Sequence, residues 1–237
     1  MSERLDKLCD VLKAAIYLSN HPQRADRTDH PLFVTVSRQP GTGADVFSHQ
    51  LAQRLNEQEG ANWSAWDREL IEKVAKEQGI TTDILEMIEK RPHSWIDSLL
   101  QNLSGNNDTP DDAELRVYQQ MMMAIRALAG AGHAIIVGQG GVFVTQGMEG
   151  GIHVRLVAPL EHRIKYIAER DQISLGKAAE HIANTERNRA RFYRNYWPQK
   201  SLEPETFAMT LNSAELSTHE QVQLALAIIR KRAPSGS

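Results

Sequence analysis

The sequence predicts an α/β protein built on a five-stranded parallel sheet, and three observations carry that prediction. Five short β-rich runs are separated by helical segments: LFVTVS (32–37), NWSAWD (62–67), AIIVG (134–138), IHVRLVA (152–158) and TFAMTLN (206–212). Strands that alternate with helices are joined by crossovers, so neighbouring strands run parallel and helices cover both faces. A Gly-rich turn then links the first strand directly to a helix, at the C-terminal edge of the sheet where such folds hold ligands.

A chain of 237 residues buries one sizeable core. We read residues 1–30 as an N-terminal helical extension, 31–232 as the domain and 233–237 as a tail without structural signal. The formal net charge of −3 gives no global field for nucleic acid or an anionic membrane, so anion binding has to be local. The single cysteine, Cys9, forms neither an internal disulfide nor a metal cluster and fits a reducing compartment. Apolar runs fall far short of the ~20 residues of a spanning helix. A soluble, cytoplasmic protein is expected.

Leu5, Leu8, Val11, Leu12, Ala15 and Ile16 recur at helical spacing, which predicts a helix over 3–19 that packs on its own domain or forms a homodimer. Strand 32–37 leads through the Gly-rich turn to the helix FSHQLAQRL (47–55). Strand 62–67 runs into a helix over 68–78. TTDILEMIEKRP (81–92) and SWIDSLLQNL (94–103) are two short amphipathic helices, and SGNNDTPDD (104–112) is a turn-rich connection; together they read as a helical insertion. A long helix over 113–129 carries Met121–Met123 as core filling, and Gly130 and Gly132 turn it into strand 134–138. Strand 152–158 precedes the helix LEHRIKYIAERD (160–171) and a basic helix over 175–195. Strand 206–212 and the helix THEQVQLALAIIRKR (218–232) close the domain.

The turn SRQPGTGAD (37–45) is set against the phosphate-loop pattern G-x-x-x-x-G-K-[ST]. Arg38 stands at the first glycine and Gly43 keeps the second, while Ala44 replaces the lysine and Asp45 the hydroxyl. Gly41 and Gly43 still free the backbone to form a nest of N–H groups in front of a helix N-terminus. Arg38 can supply the missing charge, because a guanidinium grips phosphate through two parallel N–H groups. Asp45 is expected either to cap the helix or to face a metal. The alternative is a plain β-to-α turn capped by Asp45.

Arg187, Arg191 and Arg194 fall at i, i+4 and i+7 and form one basic stripe, with Arg189 pointing elsewhere. Arg163 and Arg170 begin a second basic set on the preceding helix. Phe192, Tyr193, Tyr196 and Trp197 read as packing residues, and no reader motif for nucleic acid accompanies the arginines. Asp67 ends the second strand, where it can reach the site, hold magnesium through water, or cap the next helix. Arg68 beside it faces substrate or solvent. The nine histidines show no pair at metal-ligand spacing, which leaves metalloenzyme and Ser-His-Asp hydrolase readings thin.

Taken together, VTVSRQPGTG, WDRELIEKVAKEQGI, AIIVGQGGVFV, HVRLVAPLEHRI and NTERNRARFYRNYW resemble, in order and spacing, the cytidylate kinase-like family of P-loop nucleoside monophosphate kinases. The resemblance implies a three-layer P-loop kinase fold, a helical insertion and a basic helical lid. It further implies ATP on the loop, a monophosphate opposite and Mg2+. In the variant branch the loop commonly reads Ser-Arg-Gln-x-Gly-Ser-Gly-Gly; Ser37, Arg38 and Gln39 are shared, and Ala44 departs from the final glycine. ERNR (186–189) resembles the D-R-N-R of CMP kinases, with Glu186 in place of the acid and Arg189 in place of the last arginine. Gln139 stands where the family's V-G-R-G has arginine, and it cannot neutralise phosphate.

The implied activity is transfer of the γ-phosphoryl of ATP to CMP or dCMP. Residues 37–45, with Gly41, Thr42 and Gly43 as the cradle, would bind nucleotide; Arg38, Arg187, Arg189 and Arg191 would act on the phosphoryl group. Asp67, Arg68, Gln139, Arg163, Glu186 and Arg189 would bind substrate. Two rivals stay open: a nucleotide-binding regulator with weak catalysis, and a kinase of another small acceptor.

Overall fold

The computed structural model describes residues 31–59, 62–68 and 112–233. The expected helices over 3–19, 81–92 and 94–103, the helix 68–78 save its first residue, the connection 104–112 save its last, and residues 234–237 of the tail lie outside the described residues.

Five strands form one all-parallel sheet in the order β2-β3-β1-β4-β5. They are β1 (Phe33–Arg38), β2 (Ser64–Trp66), β3 (Ala134–Val137), β4 (Gly151–Val157) and β5 (Met209–Asn212). The central strand β1 lies between β3 and β4, with Val36 level with Val137 and Val154. Its residues are buried almost throughout, as parallel strands covered on both faces have to be.

Alternation along each strand sorts side chains onto two faces. Phe33 and Ile136 pack with Met121, Met122, Ile125 and Leu128 of helix α2 (Asp112–Ala131) and Val144 of the short helix α3 (Gly141–Val144). Val34, Val36, Ile135, Val154 and Leu156 pack on the opposite face. There they meet Phe47, Leu51 and Leu55 of α1 (Ala44–Glu59) and Val222, Leu226 and Ile229 of α6 (Thr218–Arg232). The result is three layers, helix on sheet on helix. Met121 and Met122 fill the core as their place in the amphipathic pattern predicts.

Helices α4 (Leu160–Asp171) and α5 (Leu175–Tyr196) form an antiparallel pair with its own small core of Ile167, Ala178 and Ile182. Ser174 caps α5, its hydroxyl accepting from the Lys177 N–H. At the other end of α5, Tyr118 stacks with Phe192 and Tyr196, and Phe143 packs on Tyr193 and Trp197. The aromatic run therefore anchors this helix to the sheet domain.

Three departures from expectation have local causes. The turn VGQGGVFV contains α3, a single helical turn closed by Val144 and Thr145 N–H groups on Gly140 and Gly141, too short for periodicity to reveal. Strand β5 begins at Met209, three residues later than expected, because Pro204–Thr206 form a 3-10 turn. Helix α1 begins at Ala44, so Asp45 sits in its first turn and is not the N-cap.

His153 of β4 points to the same side of the sheet as Thr35 of β1, with Thr35 Oγ1 and His153 Nδ1 2.8 Å apart. Burial, and then the charge of Arg232, push its pKa below 6.5. The folded state thus binds fewer protons than the unfolded chain, so stability rises with pH. The contribution is lost as pH falls below ~6.5, the unfolded value, toward the lower folded value. Urea midpoints should fall across this window, and His153→Asn should flatten that slope.

Candidate active site

The site lies at the C-terminal end of β1, where the chain turns from Arg38 to Ala44 between the ends of β3 and β4. A cavity of about 260 Å³ opens there, with the whole turn from Arg38 to Asp45 in its wall. The turn is held from several sides. The Gln39 side-chain oxygen accepts from the Ala158 N–H (3.0 Å) and its own N–H donates to the Leu156 carbonyl (3.0 Å). The Thr42 hydroxyl donates to the Gln39 carbonyl (2.9 Å), and Ser213 donates to the Thr42 carbonyl (3.0 Å). Gln39 and Thr42 therefore shape the loop through their side chains.

What the loop leaves unused is a row of backbone donors. Among the described residues no acceptor is paired with the N–H groups of Gly41, Thr42, Gly43, Ala44 or Asp45; the first helical bond runs from Phe47 to the Gly43 carbonyl. Orphan N–H groups at the start of a 16-residue helix make an anion-binding nest with the positive end of the helix dipole behind it.

Arg38 lines the cavity and reaches sideways toward the end of β3. Its guanidinium lies directly over Gly138, where a Cβ would stand 1.8 Å from Arg38 Nη1. The glycine of the VGQGG segment is thus the seat of the loop arginine. Arg189 comes from α5, its Nη1 donating to the Arg38 carbonyl at 2.7 Å. Burial first, and then the neighbouring Arg189, push the Arg38 pKa down to about 10, which leaves it cationic at neutral pH. Burial lowers Arg189 as well, and it raises the Tyr193 phenol beside them despite the surrounding arginines. Among the described residues no carboxylate lies within ion-pair distance of either guanidinium. Two half-buried cations side by side are costly, and an anion placed between them and the nest would offset that cost.

The other sequence candidates fall into three groups. Asp45 and Asp67 stand in the cavity wall, both exposed. Ala44 lines it too, but its side chain is buried with Val36 and Phe47. Ser37, Arg68, Gln139, Arg163 and Glu186 lie outside that wall: Ser37 is buried in β1, Arg68 is exposed after β2, and the Gln139 carbonyl accepts from the Tyr118 hydroxyl at 3.3 Å. Arg163 is buried beneath the loop and paired with Glu186. Arg187 and Arg191 are exposed and also lie outside the wall, with Arg187 donating to Asn184. Helical phase explains this, because residues two positions from Arg189 point to the far side of α5.

The cavity also takes in Arg170, His181, Thr185 and His49, whose place in the site the sequence reading did not give. His181, Thr185 and Arg189 follow an i, i+4, i+8 spacing on α5. That single face, once Arg189 is chosen, was the available signal. Arg170 stacks on Tyr166 (5.9 Å to the ring centre) and pairs with Asp171 at 2.7 Å.

No helix among the described residues is long and apolar enough to cross a membrane, and no group of three metal-ligating side chains occurs among them.

Comparison with solved structures finds an uncharacterized protein from Eubacterium ventriosum ATCC 27560 at a TM-score of 0.61 and 15% identity, covering 84% of this chain and 98% of that one. A gluconokinase from Sinorhizobium meliloti 1021 aligns at a TM-score of 0.46 and 13% identity over 86% of this chain and 95% of its own. A shikimate kinase from Bacteroides thetaiotaomicron aligns at 0.43 and 15% identity over 84% and 98%. A comparison with the curated proteins found no match. The fold is α/β, an all-parallel five-stranded sheet with a loop and helix after its central strand. The model of the cytidylate kinase-like family matches residues 33–215, well over half of the sequence, and the chain belongs to that family.

Proposed function

We propose that the protein transfers the γ-phosphoryl group of ATP to a nucleoside monophosphate, with CMP and dCMP as the leading acceptors, in the cytoplasm. The observation that carries this reading is the row of unpartnered N–H groups from Gly41 to Asp45, set against the half-buried side chains of Arg38 and Arg189. Phosphoryl transfer asks little covalent work of a protein. It asks for positioned reactants, cations around the moving group and exclusion of water. The nest holds phosphate oxygens through the backbone, and Arg38 takes the electrostatic part that a loop lysine plays elsewhere. Arg189 brings a second charge from the α4–α5 lid, while the loop wall and the lid keep water from the centre.

The donor set fits Mg2+ as an ion held mainly by phosphate oxygens, since Mg2+ takes one or two carboxylates and keeps its waters. Asp67 and Asp45 are the carboxylates on the wall. The ion supplies charge neutralisation between phosphates when bound. Arg170, within electrostatic reach of Asp45, limits the repulsion Asp45 exerts on phosphate.

ADP release should depend on an added monophosphate and be fastest with CMP or dCMP. A panel of nucleoside monophosphates read by ADP formation checks this. Release that is equal with and without every monophosphate would remove the nucleoside monophosphate kinase reading and leave the nucleotide-binding regulator and the kinase of another small acceptor.

A further inference from the structure

Arg163 is the most deeply buried charged side chain near the site, 5% exposed, yet it lies outside the cavity wall. Its guanidinium joins three elements. Nε donates to the Ala158 carbonyl at the end of β4 (2.9 Å), and Nη1 reaches the Pro40 carbonyl in the loop (3.4 Å) and Glu186 Oε1 on α5 (2.7 Å). The loop also rests on this residue's backbone: a Cβ on Gly41 would stand 2.7 Å from the Arg163 carbonyl oxygen. Glu186 is three residues from Arg189, on the same side of α5, and Arg189 donates to the Arg38 carbonyl where the loop begins. One face of the lid helix thus reaches the first half of the loop twice, directly at Arg38 and through Arg163 at Pro40 and Gly41.

We propose that Arg163 and Glu186 are a positioning pair that sets the phosphate loop against the lid helix, so that Glu186 acts on the ATP side through Arg163 and not on the acceptor sugar. The proposal rests on the kinase reading for its kinetic consequence, but its structural consequence stands apart from turnover. The carboxylate's length matters. Glutamate spans the gap to the buried guanidinium, and aspartate, shorter by one methylene, falls short of a 2.7 Å contact without movement of α5. The D-R-N-R acid of CMP kinases, placed on the acceptor sugar, would make the opposite demand: aspartate there would be tolerated.

The test compares wild type with Glu186→Asp, Arg163→Lys and the double variant. Hydrogen exchange of the Gln39, Phe47 and Ala158 backbone amides, whose hydrogen bonds hold the loop, is read in the protein without nucleotide, together with ATP affinity by titration and the KM values for ATP and CMP. Each single change should speed exchange at these three amides about tenfold, with the interiors of β1 and β4 protected as before. Each should weaken ATP several-fold and leave the KM for CMP within about twofold, and the double variant should be no worse than the more affected single. If Arg163→Lys does not fold, Glu186→Asp carries the test alone, since the glutamate side chain is 44% exposed. Unchanged loop exchange in Glu186→Asp overturns the proposal, as does a rise in the CMP KM alone. A protein that turns over no monophosphate would sink the kinase reading, and loop exchange would still decide this one.

Discussion

Arg38→Ala is expected to lower turnover of ATP with the preferred monophosphate by about two to three orders of magnitude, the range found when a preorganised charge-stabilising donor is removed from a transition state. The expectation follows from the position of the side chain. It is half-buried, lies over Gly138 and has no carboxylate within ion-pair distance among the described residues. Its charge is therefore available to a phosphoryl group and only partly screened by water. Thermal stability should change little by comparison, because the substitution also relieves the mutual repulsion of Arg38 and Arg189. Arg38→Lys restores charge without the two-pronged grip and should recover part of the rate. A regulator that only binds nucleotide would lose affinity in both variants and show no such graded rate. Steady-state kinetics and an ATP titration on the same samples separate these outcomes.

Gly41→Ala should be the most damaging single substitution in the loop. Gly41 has φ +83, and a Cβ there meets the Arg163 carbonyl oxygen at 2.7 Å and the Arg163 Cβ at 2.9 Å. A left-handed backbone costs an L-residue roughly 1–2 kcal/mol, and forced overpacking adds roughly 1–3 kcal/mol. Backbone atoms of α4 cannot rotate away as a flexible side chain would, so the loop has to shift and the nest loses its shape. Gly147 is the control. Its φ is +79 but nothing lies within 4 Å of an added Cβ, so Gly147→Ala should show the conformational cost alone. Urea denaturation should rank wild type above Gly147→Ala above Gly41→Ala, and only Gly41→Ala should weaken ATP binding about tenfold or more.

The sheet was legible because near-continuous apolar runs such as FVTV and AIIV, separated by helical spacing, reflect burial on both faces, and burial is the physical cause of both pattern and fold. The loop was legible in part. Glycines and an arginine between a strand and a helix announce an anion nest, yet nothing in SRQPGTGAD says that Gln39 is tied to Ala158 or Thr42 to the Gln39 carbonyl. Those contacts join residues far apart in sequence or depend on the turn's own geometry.

Arg189 was separable from Arg187 and Arg191 by helical phase alone. Which of the two faces looks into the cavity depends on how α5 packs, and that is fixed by Ala178, Ile182 and the aromatic anchor at Tyr196. Arg163 illustrates the same limit. Its composition suggests a surface cation, and only the fold reveals that a guanidinium with three acceptors around it can be buried.

The most direct measurement is the fate of the label when the protein is incubated with γ-labelled ATP, Mg2+ and CMP or dCMP. The site described here predicts that label appears in CDP or dCDP in step with ADP, and that Arg38→Ala slows the appearance of both by about two to three orders of magnitude. Label found only in free phosphate, or retained in ATP while the nucleotide is bound, would contradict it.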